Sequence, residues 1–160
     1  DALREIELFR EFTMAELVTV YNVLTLTHVE RGHTAIREGD QGEYLFVIVE
    51  GKCEVSREGS AIATLGPGAH FGEMALLSQR PRTATVTALE RTRLLRLDRV
   101  SFHTLISREP TIASKFLWKF AQTLSLRLDD AYLARDLRSG RTTLGLGEYP
   151  SPFESTRPKR

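Results

Sequence analysis

The sequence predicts a mainly β fold with flanking helices: an antiparallel jelly-roll β-barrel, N-terminal helices before it and a long C-terminal helix after it. Three observations predict this. Between residues 25 and 97, short β-leaning runs recur with a glycine turn at nearly every join. On either side, apolar residues return at helical spacing instead. A length of 160 residues suits one domain with a real core and an appendage.

Residues 1–24 read as a helical segment. Leu3, Ile6, Leu8 and Phe9 come first, then Thr13-Met14-Ala15-Glu16 has capping-box spacing ahead of Leu17, Val20, Tyr21 and Leu24. The strand region, 25–97, contains runs at Leu26 to Val29, Thr34 to Arg37, Tyr44 to Glu50, Lys52 to Arg57 and Ala61 to Leu65. Leu45 to Val49 is apolar throughout, as a central strand covered on both faces would be. Lys52-Cys53-Glu54-Val55-Ser56 alternates, with Cys53 and Val55 inward. After the Gly66-Pro67-Gly68 break come Thr83 to Glu90 and Thr92 to Leu97 as a strand pair. Asp98 is placed to cap a helix that ends at Glu109-Pro110.

Residues 98–137 complete the helical frame. The long helix, about Thr111 to Leu137, carries the stripe Leu117, Ala121, Leu124, Leu128, Ala131 with coiled-coil steps, and Ile112, Phe116 and Phe120 on an adjacent stripe. One face is expected on the roll and the other on a second copy of the chain, as a homodimer. Residues 138–160 lose periodicity, gain Gly, Pro, Ser and Arg, and are expected to form a disordered tail.

Composition excludes several classes. A net charge of +1 is no electrostatic footprint for nucleic acid, and the 23 residues after Leu137 hold no second helix-turn-helix pattern. Cys53 is the single cysteine, which removes disulfide frameworks and thiolate clusters and fits a reducing, cytoplasmic compartment. No run is long and apolar enough for a membrane helix, and the acidic N-terminus lacks a signal-peptide pattern. Beginning at Asp1 rather than Met, the chain reads as a piece of something longer. His28, His33, His70 and His103 share no metal-ligand spacing, and His70 reads as a turn residue. Ser78 and Ser101 lack nucleophile context, so no metal, no cofactor and no enzymatic activity are expected.

The informative stretch is Phe71 to Val86. Counting back by two from Val86 and Ala84 puts Arg82 on the inner face of its strand. A guanidinium aimed into a barrel is costly unless an anion meets it. Gly72 opens a short helical turn over Glu73 to Leu77, whose free N–H groups favour an anion. Glu73 would repel that anion directly, and makes sense accepting a hydroxyl beside it, as on a ribose; anion plus sugar hydroxyl points to a nucleotide. The alternative is that Arg82 and Glu73 pair with each other and the roll binds nothing.

Phe71-Gly72-Glu73-Met74-Ala75-Leu76 followed by Pro81-Arg82-Thr83-Ala84-Thr85-Val86 resembles the phosphate-binding cassette of the cyclic nucleotide-binding domain family, a resemblance extending over about residues 10 to 135. It implies a β-roll that binds cAMP or cGMP as a regulatory ligand. It further implies Glu73 on the ribose 2′-hydroxyl, Arg82 on the cyclic phosphate, and the N–H groups of Gly72 and Ala75 completing the cradle. Met74 would line the sugar, Thr83 and Ala84 the phosphate, and Val55 would face the base. Leu76 would pack on Phe102, and Arg127 and Asp130 are candidates to cap the base. A hydroxyl at Thr83 tolerates cGMP, while cAMP is favoured. The competing expectation is a degenerate roll serving as a dimerisation module without nucleotide.

Overall fold

Residues 2–139 are described by a computed structural model. At the N-terminus the single helical segment expected for residues 1–24 divides into three pieces: α1 (Ala2–Glu5), a 3-10 turn (Glu7–Phe9) and α2 (Met14–Tyr21). Ile6 is extended between the first two, which lets the turn bury Leu8 and Phe9. α2 then restarts at a capping box: Thr13 Oγ1 accepts from the N–H of Glu16, and Glu16 Oε2 accepts from the N–H of Thr13 at 2.7 Å. Such a cap contributes about 1 kcal/mol.

Eight strands follow: β1 (Thr25–Val29), β2 (Thr34–Ile36), β3 (Tyr44–Glu50), β4 (Cys53–Arg57), β5 (Ser60–Leu65), β6 (His70–Phe71), β7 (Thr85–Ala88) and β8 (Thr92–Asp98). The short α3 (Met74–Leu77) lies between β6 and β7, and α4 (Arg99–Arg108) and α5 (Pro110–Ser139) close the described chain. All strand pairs are antiparallel, in two four-stranded sheets ordered β1-β8-β3-β6 and β2-β7-β4-β5. The roll is therefore not the closed barrel expected. Edge strands β2 and β6, three and two residues long, are too short to carry a ladder across the gap.

β3 explains how the roll and the helices share one sheet. Its alternate residues face opposite sides: Leu45 and Val47 join the core under the helices, Phe46 and Ile48 the core inside the roll. Its uninterrupted apolar run is what a strand covered on both faces requires. Under the helices, Phe102 of α4 meets Phe116 of α5 edge-on at 5.7 Å between ring centroids, and Phe116 meets Phe9 at 6.1 Å. Each aromatic pair adds about 0.5–1.5 kcal/mol beyond burial, so α4, α5 and the N-terminal turn form one unit.

Asp98 caps α4 as expected, accepting from the N–H and the hydroxyl of Ser101 at 2.8 and 2.7 Å. Pro110 opens α5 rather than only ending α4, because the first helical position needs no N–H donor. Ile112, Phe116 and Phe120 are buried, whereas Leu117 and Leu128 on the neighbouring stripe are exposed. α5 runs through residues 138 and 139, which the expected tail had included; residues 140–160 lie outside the described part of the chain.

Candidate functional site

The turn between β6 and β7 is built by glycine and two arginines. Gly72 has a φ of +82°, and a Cβ there would sit 2.8 Å from the carbonyl oxygen of Tyr44. Both facts require glycine: left-handed backbone and close approach to another chain segment. The chain can then bend so that Glu73 starts α3, with the N–H of Ala75 donating to the carbonyl of Gly72 at 3.1 Å. That N–H is engaged within the turn.

Arg82 is buried, but not for the reason its spacing implied. β7 begins only at Thr85, so Arg82 precedes the strand and alternation does not apply to it. Its direction is set by backbone pairing with the β2–β3 turn: Arg82 N–H donates to the carbonyl of Asp40 at 2.8 Å, and Gly39 N–H donates to the carbonyl of Arg82 at 2.8 Å. The guanidinium then donates to Tyr44 O at 2.8 Å and Gly72 O at 3.2 Å. Gly42 makes room for it: a Cβ there would stand 2.1 Å from Arg82 Nε. Among the described residues no carboxylate comes within ion-pair distance of this guanidinium. These carbonyls take two of its N–H groups, and its charge has no ion-pair partner among the described residues. Burial lowers its pKa, nearby Arg99 adds to that, and the field of Glu73 opposes both.

Glu73 is fully buried and does not pair with Arg82. Its Oε1 accepts a hydrogen bond from Arg127 of α5. Its Oε2 faces His70 Nδ1 across 3.6 Å, and neither of those two atoms has a hydrogen-bond partner. Burial pushes the Glu73 carboxyl upward, but His70 and the Arg127 charge outweigh it and hold it below the ordinary glutamate value.

The remaining expected residues fall around this centre. Met74 and Ala84 are half-buried, Ala75 is buried, and Thr83 is exposed with its carbonyl accepting from Arg57 Nε at 2.9 Å. Val55 is half-buried against the roll interior, in register with Val86. A cavity of about 450 Å³ opens beside Arg82, walled by Thr34, Ile36, Gly42, Tyr44 and Phe46 among others. Of the expected site residues only Arg82 lines it. Glu73 lies outside it, buried and hydrogen-bonded to Arg127 of α5.

Leu76 and Phe102 are both fully buried in the core under the helices, as the expected packing of the turn on α4 requires. Sequence reasoning missed the groups that join the turn to its surroundings. Arg99, the first residue of α4, donates to Ala75 O at 2.6 Å and Gly42 O at 2.8 Å, clamping α3 to the β2–β3 turn. A cation at a helix start runs against the macrodipole, and that misfit was the available signal. His103 Nε2 lies 2.9 Å from Leu76 O. His70 is no mere turn residue: it lies in β6, and its ring faces Glu73 Oε2 at 3.6 Å. Arg127, expected as a candidate to cap the base, reaches Glu73.

The family model of the cyclic nucleotide-binding domain matches residues 26–109. A cAMP-dependent protein kinase regulatory subunit of Dictyostelium discoideum is 34% identical over 111 residues, 64% of this chain and 34% of that protein. A cyclic nucleotide-gated potassium channel of Mesorhizobium japonicum is 40% identical over 111 residues, 69% of this chain and 31% of the channel. The chain thus spans about a third of each of these two relatives. In structure, the catabolite activator protein of Thermus thermophilus superposes with a TM-score of 0.73 at 34% identity, over 82% of this chain and 62% of that one.

Proposed function

The chain belongs to the cyclic nucleotide-binding domain family, and from that premise we propose that it is a sensing module which binds cAMP, with cGMP as second ligand, and passes binding to α5. The observation that carries the reading is Arg82. It is a buried guanidinium whose side-chain hydrogen bonds go to two backbone carbonyls, beside a cavity of about 450 Å³, a volume typical of ligand pockets. A cyclic phosphate supplies the missing counter-charge and the planar acceptor that a guanidinium prefers.

Glu73 supplies the coupling. A ribose hydroxyl donating to Oε1 takes the acceptor that Arg127 now holds, so nucleotide and α5 compete for one carboxylate oxygen. Ligand then shifts an equilibrium between a state with the far end of α5 docked through Arg127 and one with that end released. Gly72, Met74, Ala75, Thr83, Ala84 and Val55 shape the space around phosphate, sugar and base. The output is carried by α5 to an effector domain or partner protein, and the exposed stripe with Leu117 and Leu128 pairs two copies. No catalytic step is assigned to this chain.

Titration calorimetry with cAMP and cGMP on the purified chain tests the reading. Saturable heat with at least one of them is expected. Silence toward both, together with no competition against a fluorescent cyclic nucleotide, would favour the competing reading of a roll that only dimerises.

A further inference from the structure

The interior of the Arg127–Glu73 contact holds a group the functional reading does not use. His70 is inserted between the turn and α5. Its side chain is 8% exposed, its ring lies 6.0 Å from that of Phe120, and its Nε2 is 3.4 Å from the hydroxyl oxygen of Thr123. On its other side Nδ1 faces Glu73 Oε2 at 3.6 Å.

Electrostatics select how this ring is protonated. Were Nε2–H donating to Thr123 from a neutral ring, the Nδ1 lone pair would face a carboxylate oxygen in a buried space, lone pair against lone pair. With Thr123 Oγ1–H donating to Nε2, the proton sits on Nδ1 and points at Oε2. A shift of a few tenths of an ångström closes that gap to hydrogen-bond length. Two buried polar atoms facing each other without other partners are costly to leave apart, so closure is favoured.

We propose that His70 is a positioning residue of the ligand site: through Nδ1–H it holds Oε2 of Glu73, so that Oε1 is the oxygen presented to the sugar hydroxyl once Arg127 leaves it. This rests on the nucleotide reading above. A carboxylate on a buried side chain rotates when one of its two anchors is removed; the imidazole is the anchor that ligand exchange on Oε1 does not disturb. Thr123, on α5, sets the tautomer from the far side, and it makes the orientation of Glu73 sensitive to where α5 stands.

The test compares cAMP with 2′-deoxy-cAMP by calorimetry on the wild-type chain, His70→Ala, His70→Asn and Thr123→Val. The wild type is expected to favour cAMP. His70→Ala should weaken cAMP about tenfold while leaving the 2′-deoxy ligand unchanged, because only the hydroxyl depends on Glu73 orientation. His70→Asn, whose amide N–H stands near the Nδ1–H position, should recover cAMP to within about threefold of wild type. Thr123→Val, nearly isosteric and half-exposed, should lower cAMP affinity about threefold, again with no effect on the 2′-deoxy ligand, and it serves if His70→Ala does not fold. Equal losses for both ligands, or no loss for either, overturn the inference and leave the nucleotide reading standing. A wild-type chain that binds neither ligand overturns the reading and the inference together.

Discussion

Arg127 donates to Oε1 of Glu73 across 54 residues of sequence, and this one hydrogen bond joins the far part of α5 to the turn that carries Arg82. Arg127 is about half exposed while Glu73 is fully buried, so the arginine approaches from the solvent side and closes over the carboxylate. Truncating it leaves a buried charge without its cation. For Arg127→Ala we expect a lower melting temperature in the unliganded chain and a cyclic-nucleotide affinity raised by about threefold to tenfold, since the internal competitor is gone. Thermal unfolding and calorimetry on the same preparation check both; affinity that falls would remove the competition mechanism.

Gly42 and Arg82 form the second testable pair. Arg82→Ala should cost about 2–5 kcal/mol of nucleotide binding, as truncating one side of a buried charge pair does. Gly42→Ala should approach the same loss without touching the arginine, because its Cβ would stand 2.3 Å from Arg82 Cζ. The guanidinium is fixed by two carbonyls and has to leave them to accommodate the methyl group. A Gly42→Ala chain that binds as tightly as wild type would show that the position of Arg82 is not what the ligand reads.

Asp98 carries a pH prediction. Hydrogen bonds from the Ser101 hydroxyl and N–H lower its pKa, with burial opposing weakly. A carboxyl depressed in the folded state stabilises the fold above its unfolded pKa of about 3.9, and that stabilisation is lost as pH falls through the lower folded value. Asp98→Asn keeps a capping oxygen but no charge, so it should flatten the acid limb of the stability curve below about pH 4. Asp98→Ala should destabilise α4 by about 0.5–2 kcal/mol at neutral pH. Acid titrations followed by circular dichroism separate the two.

Leu117 and Leu128 stay exposed on α5 at positions consistent with a helix–helix seam. If two copies pair through that stripe, the double variant Leu117→Glu, Leu128→Glu should be monomeric in sedimentation equilibrium at concentrations where the wild type is dimeric. Its melting temperature should remain close to that of the wild-type monomer, because neither side chain belongs to the core. Two species of equal mass would withdraw the dimer.

The sequence by itself determined the two-sided covering of β3, the Thr13 capping box, the Asp98 cap, the breaks at glycine and the turn at residues 71–86. These are local matters: a period of two or 3.6, a side chain within reach of its own backbone, or a φ that only glycine adopts comfortably. The helical pattern of residues 1–24 was legible in kind but not in continuity, since burial of Leu8 and Phe9 breaks it at Ile6. Only the tertiary structure decided where the charged groups end. Arg82 turns inward because distant carbonyls at Asp40, Tyr44 and Gly72 accept from it, not because of its place in a strand. Glu73 finds Arg127 and His70 rather than Arg82, a choice among cations that sequence distance does not rank. Buried polar groups take whichever partners the packed elements bring within about 3 Å, and that proximity is a property of the fold.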